Sequence, residues 1–118
     1  MADCIAYVAA ADLVVLPYRA ISQSGVLLLA NTFGRPVLAT RIGSFPETIV
    51  DGRTGWLVEP GDAGGLADAL SVLLNQPDAL AVAGSCARER AGTEYSWARI
   101  AARTAAVYHA VLSGAPLP

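Results

Sequence analysis

The chain has 118 residues, is 54% hydrophobic and 15% charged, and carries a net charge of −2 with a mean hydropathy of +0.47. It is too apolar and too weakly charged to stay solvated as a coil, and no run of ~20 uninterrupted apolar residues offers a transmembrane segment. Eight basic residues, all arginine, are scattered among ten acids and form no basic stripe, so nucleic acid is not an expected partner.

The length predicts one domain. Residues 1–3 lack the basic and apolar regions of a secretory signal, and two cysteines, too few for a disulfide scaffold, point to a cytoplasmic chain. Residues 3–11 read as an alanine-rich helix, and 13–16 as a short β-branched strand closed by Pro17. After a polar stretch, residues 24–33 form an apolar helix stopped by Gly34 and Pro36. Residues 36–40 are a second buried strand, with proline tolerated at its first position. Ser44 and Glu47 have capping-box spacing around Pro46, predicting a short helix to about Val50. Asp51 and Gly52 turn the chain into a third strand at 55–59.

The remainder is helical. Asp62 caps a helix whose Leu66, Ala69, Leu70, Leu73 and Leu74 share one face. Asp78, after Pro77, opens another helix reaching about Ala91. Ser96 caps a last helix with Trp97, Ile100, Ala101, Thr104, Tyr108 and Val111 on one side, and residues 113–118 are a tail. Strands separated by helices predict a parallel sheet with right-handed crossovers. Only three are visible, where doubly wound sheets have roughly five or six. The expected fold is therefore α/β, a partial Rossmann-like domain of about three parallel strands with flanking helices. Cys4 and Cys86 lack metal-ligand spacing and are expected as small buried thiols, while Trp56 and Trp97 are expected in the core or under the last helix. His109 sits late in a helix, where a cation suits the dipole. Neither a metal nor a cofactor is expected.

In open parallel sheets, ligands bind outside the carboxyl ends of the strands, where loops lead into helix N-termini. The first such loop carries Arg19, Ser22, Gln23 and Ser24 and enters a helix at Gly25. Exposed amides at Ser24, Gly25 and Val26, with the helix dipole, favour a phosphate there. The alternative is a plain Ser-capped helix whose glycine relieves crowding. A second loop, residues 40–47, is expected beside the first. In it Arg41 is either a phosphate partner or a solvated surface charge, and Gly43 permits a tight turn. Tyr18 either stacks on a base or rims the site. With a single histidine, in the last helix, no residue stands out as a catalytic acid, base or nucleophile.

Read in order, Ala11-Asp12-Leu-Val-Val-Leu-Pro17, Ser24-Gly25-Val-Leu-Leu-Leu-Ala and Phe33-Gly34-Arg-Pro36-Val-Leu-Ala-Thr40 form a series. Gly43-Ser-Phe-Pro46-Glu47, Asp51-Gly52-Arg-Thr-Gly55-Trp-Leu-Val, Pro60-Gly61-Asp62, Leu66-Ala67-Asp-Ala-Leu and Tyr95-Ser96-Trp97 continue it. From about Asp12 to Tyr108 this resembles the C-terminal part of the group 1 (family 4) glycosyltransferases of the GT-B fold. The resemblance implies nucleotide-sugar binding, with retaining sugar transfer between two Rossmann-like domains in the complete enzyme. It rests the donor diphosphate on the amides of Ser24, Gly25 and Val26, with Gln23 and Arg19 as side-chain helpers and Arg41 and Gly43 alongside. The family's Glu-x7-Glu pattern is missing. Its second position, which holds the ribose hydroxyls, falls at Leu29 counted back from Gly34 or at Ala30 counted from Gly25, and its first near Ile21 or Ser22. The implied partners are a nucleotide-sugar and an N-terminal GT-B domain beyond this chain, or self-association in its place, and the chain by itself is expected not to transfer sugar. Two rival expectations are a non-catalytic nucleotide or sugar-phosphate module and a ligand-free remnant or interaction domain.

Overall fold

The computed structural model describes residues 2–118. The elements run α1 (Ala2–Ala10), β1 (Val14–Leu16), α2 (Gly25–Thr32), β2 (Val37–Thr40), α3 (Phe45–Thr48), β3 (Gly55–Val58), α4 (Ala63–Leu73), α5 (Pro77–Thr93) and α6 (Trp97–Ser113). The three strands form one sheet in the order β1-β2-β3, both pairs parallel. Val14 pairs with Val37 and Leu16 with Ala39, while Val37 pairs with Gly55 and Thr40 with Val58. This is the expected sheet, with helices flanking it.

An apolar run without alternation suits a strand covered on both faces, and every residue of β2 is buried. Successive side chains point to opposite faces. Val37 and Ala39 join Val8, Leu16, Leu27, Ala30, Phe45 and Ile49 in one cluster. Leu38 enters the other, with Leu73 and Leu80, backed by half-buried Trp56, Leu66 and Leu70. Complete burial of Leu27 and of Leu38 contributes about 1.5–3 kcal/mol each. Helix α5 lies along α2 at close range, since a Cβ at Gly84 would overlap the Gly34 carbonyl oxygen. Arg35 ties down α1, its Nη2 donating to the Ala9 carbonyl at 2.6 Å.

Several expectations are corrected. The capping box does not form, because Ser44 is itself helical (φ −81°, ψ −4°) and its hydroxyl receives no cap bond. The chain enters α3 through backbone bonds instead, Phe45 N donating to the Ile42 carbonyl and Glu47 N to that of Ser44. Cys4 is exposed, because among the described residues of α1 Val8 is the one buried, and Cys86 is half-buried. Leu74 leaves the shared face of α4, since the helix stops at Leu73 and Leu74 is the exposed residue after it. Trp97 is 84% exposed and sits under nothing. It opens α6, a helix of 17 residues, about 25 Å long at 1.5 Å per residue. Molecular dimensions of 54 × 28 × 27 Å leave room for a helix projecting from the body, and along α6 only Ala110 is buried. Among the described residues no helix is long and apolar enough to cross a membrane.

Candidate functional site

Strand β1 ends at Leu16, and Pro17 turns the chain toward α2. Ser24 caps that helix from an extended conformation (φ −133°, ψ 110°), its Oγ accepting from Leu27 N at 3.2 Å. The amides of Gly25 and Val26 have no partner among the described residues. A Cβ at Gly25 would meet nothing within 4 Å, and its φ lies outside the left-handed region. Crowding therefore does not explain this glycine. Its effect is to leave two free amides bare at the positive end of a helix, an arrangement that attracts anions.

The second loop lies against the first. Thr40 Oγ1, at the end of β2, donates to the Tyr18 carbonyl at 2.6 Å. Gly43 has φ +52°, and its Cα rests on the Ile21 carbonyl oxygen, so a side chain there would be both strained and obstructed. The Tyr18 ring is stacked on buried Phe45, with centroids 5.8 Å apart at 29°. It is a packed ring rather than a free platform.

The other sequence-derived site residues spread around this pair of loops. Arg41 donates from Nη2 to Asp51 Oδ2 at 3.0 Å and from Nε to Glu59 Oε1 at 3.1 Å. Asp51 Oδ1 also takes the Leu57 amide, closing part of the outer edge of β3. The bonds to Asp51 and then Glu59 raise the Arg41 pKa above its ordinary value, against some desolvation, so the guanidinium stays charged. These pairs are exposed, and their contribution to stability is small. Arg19 and Gln23 are exposed. Arg19 lines a cavity of about 160 Å3 with Pro17, Thr40, Val58, Glu59 and Asp62, at the carboxyl ends of all three strands. Leu29 is half-buried against the first cluster, and Ala30 is wholly inside it. Glu59 and Asp62, which the sequence marks only as a strand end and a helix cap, line the Arg19 cavity as well. The Glu-Pro-Gly-Asp segment following a strand was the available signal.

Residues 1–76 match the family model for "Glycosyl transferases group 1". The chain is 40% identical over 110 residues to a D-inositol 3-phosphate glycosyltransferase of Pseudarthrobacter chlorophenolicus, covering 93% of this chain and 26% of that protein. It thus spans about a quarter of the relative's length. Sucrose-phosphate synthase of Thermosynechococcus elongatus superposes with a TM-score of 0.83 at 30% identity, over 92% of this chain and 27% of the other. HepE of Anabaena, solved with UDP-glucose, gives 0.81 at 27% identity over 89% and 29%. The C-terminal domain of a group 1 family glycosyl transferase from Francisella tularensis gives 0.71 at 28% identity over 77% and 47%.

Proposed function

The chain belongs to the group 1 glycosyl transferases, and we propose that it binds the diphosphate of a nucleotide-sugar donor at the N-terminus of α2. The carrying observation is the pair of unpartnered amides at Gly25 and Val26 beneath open space, with Ser24 spent on Leu27. On this reading residues 1–118 are a single donor-binding unit ending in a tail from about residue 113. In the complete protein the unit serves sugar transfer with retention of configuration, by positioning the donor and stabilising charge on the departing diphosphate. Gln23 helps at the entrance, and Gly43 supports the loop from below. Arg41 reaches a phosphate by exchanging one of its two carboxylates. The donor carries the chemistry, and neither metal nor cofactor is invoked. The acceptor side belongs to an N-terminal domain, or to a second copy of this chain in its place. A reducing cytoplasm suits the two free cysteines.

Position 25 has room for a side chain. Gly25→Leu is expected to fold with unchanged or slightly higher thermal stability, since leucine has the better helix propensity, while covering the amides. Calorimetric titration with UDP is expected to show binding to the parent chain and at least tenfold weaker binding to Gly25→Leu. No binding by the parent, or equal binding by both, would overturn it.

A further inference from the structure

Strand β2 reads Val-Leu-Ala-Thr, is buried throughout, and has Thr40 as its one polar side chain. A buried hydroxyl is costly unless it is hydrogen-bonded. Thr40 is 4% exposed, and its Oγ1 donates to the Tyr18 carbonyl at 2.6 Å. Tyr18 belongs to the loop, residues 17–24, that leaves β1 and enters α2. Among the described residues, this is the only hydrogen bond that residues 17–23 make with the rest of the chain. The loop has no ladder or turn bonds of its own, and a few contacts set its course. The others are the Tyr18 ring on Phe45 and the Ile21 carbonyl against Gly43. The far end is held by Ser24 on Leu27 N.

The anchor sits on the rigid side of this bond. Thr40 pairs with Val58, and its carbonyl accepts from Ile42 N, so its backbone is fixed in the central strand of the sheet. A side chain carried by a central strand holds its place better than one on a loop. What it holds is a segment with Arg19 beside Tyr18 and Gln23 beside the Ser24 cap, both exposed. Polar side chains already in place when an anion arrives bind it without the entropy cost of ordering the loop first. Valine suits a buried strand at least as well as threonine, so packing alone does not account for the hydroxyl.

We propose that Thr40 is the positioning residue of the donor loop. Through the Tyr18 carbonyl it fixes residues 18–23, and with them Arg19 and Gln23, beside the amides of Gly25 and Val26. It acts through the loop and does not itself contact the phosphate. The inference rests on the donor reading above, and two measurements let the two fail separately. The parent chain, Thr40→Val and Thr40→Ser are compared by backbone amide relaxation without ligand and by calorimetric titration with UDP. Valine keeps the shape and removes the donor, while serine keeps the donor and removes the methyl group. Thr40→Val is expected to lower the order parameters of residues 18–22 to below about 0.6, with β2 and α2 unchanged, and to weaken UDP binding about fivefold. Thr40→Ser is expected to restore both, which a packing role for the methyl group would not do. Should valine not be accommodated, Thr40→Ala gives the same comparison with serine. Residues 18–22 as ordered without the hydroxyl as with it, loosened equally by serine, or loosened with no change in UDP binding, would overturn the proposal. A parent that does not bind UDP, with a loop that loosens in Thr40→Val and tightens in Thr40→Ser, overturns the donor reading instead and supports the hold of Thr40 on the loop.

Discussion

Strand β2 and helix α6 are both apolar in sequence, yet the four residues of β2 are all buried while the 17 of α6 bury one. The difference is one of surroundings. β2 receives a strand on each side and a side-chain cluster on each face. α6 carries an apolar row at helical spacing, with Trp97, Ile100, Val107 and Val111 exposed. A helix of this length is marginal on its own in water. Local pattern is enough to specify a helix and does not specify what the helix packs on. The body around β2 therefore holds the stability, and α6 adds little buried surface to it.

Substitutions that separate the two regions should fall in order of burial. Ala30→Glu is expected to be the most severe, because Ala30 has no exposure and a buried unpaired carboxylate costs several kcal/mol. Loss of the cooperative thermal transition is the expected result. The neighbouring Leu29→Glu, at a half-buried position, should leave the protein folded. If it also tightens UDP binding, Leu29 is the ribose-facing position. Leu38→Ala, at the centre of the sheet, should cost about 2–5 kcal/mol in urea-induced unfolding. Gly84→Ala should cost about 1–3 kcal/mol, because α5 must move off the Gly34 carbonyl. Trp97→Ala should change stability by less than about 0.5 kcal/mol. A loss of 2 kcal/mol or more at Trp97, on the order of a core truncation, would mean that α6 is held by the body and would break the comparison.

The sheet was legible because its signals are local. Apolar runs closed by Pro17, Gly34 and Gly52, and caps at Ser24, Asp62 and Ser96, mark where elements stop and start, and each of these caps accepts its bond. The candidate site was legible at Gly25 for the same reason, since a polar loop entering an apolar helix shows in a few consecutive residues. What the sequence hid was long-range. The partners of Arg41 lie ten and 18 residues further along the chain. The need for glycine at 43 comes from a carbonyl on another loop. Ser44 has the spacing of a capping box, yet its backbone is drawn into the helix by the turn at Ile42, so its hydroxyl has no amide to reach.

The central claim is that the bare amides opening α2 receive a diphosphate. Titration of the chain with UDP, followed by amide NMR, tests it residue by residue. The largest shifts are expected at Gly25 and Val26, with smaller ones at Ser24 and Gly43, and little change along α5. Largest shifts within α5, with Gly25 and Val26 unmoved, would contradict the assignment.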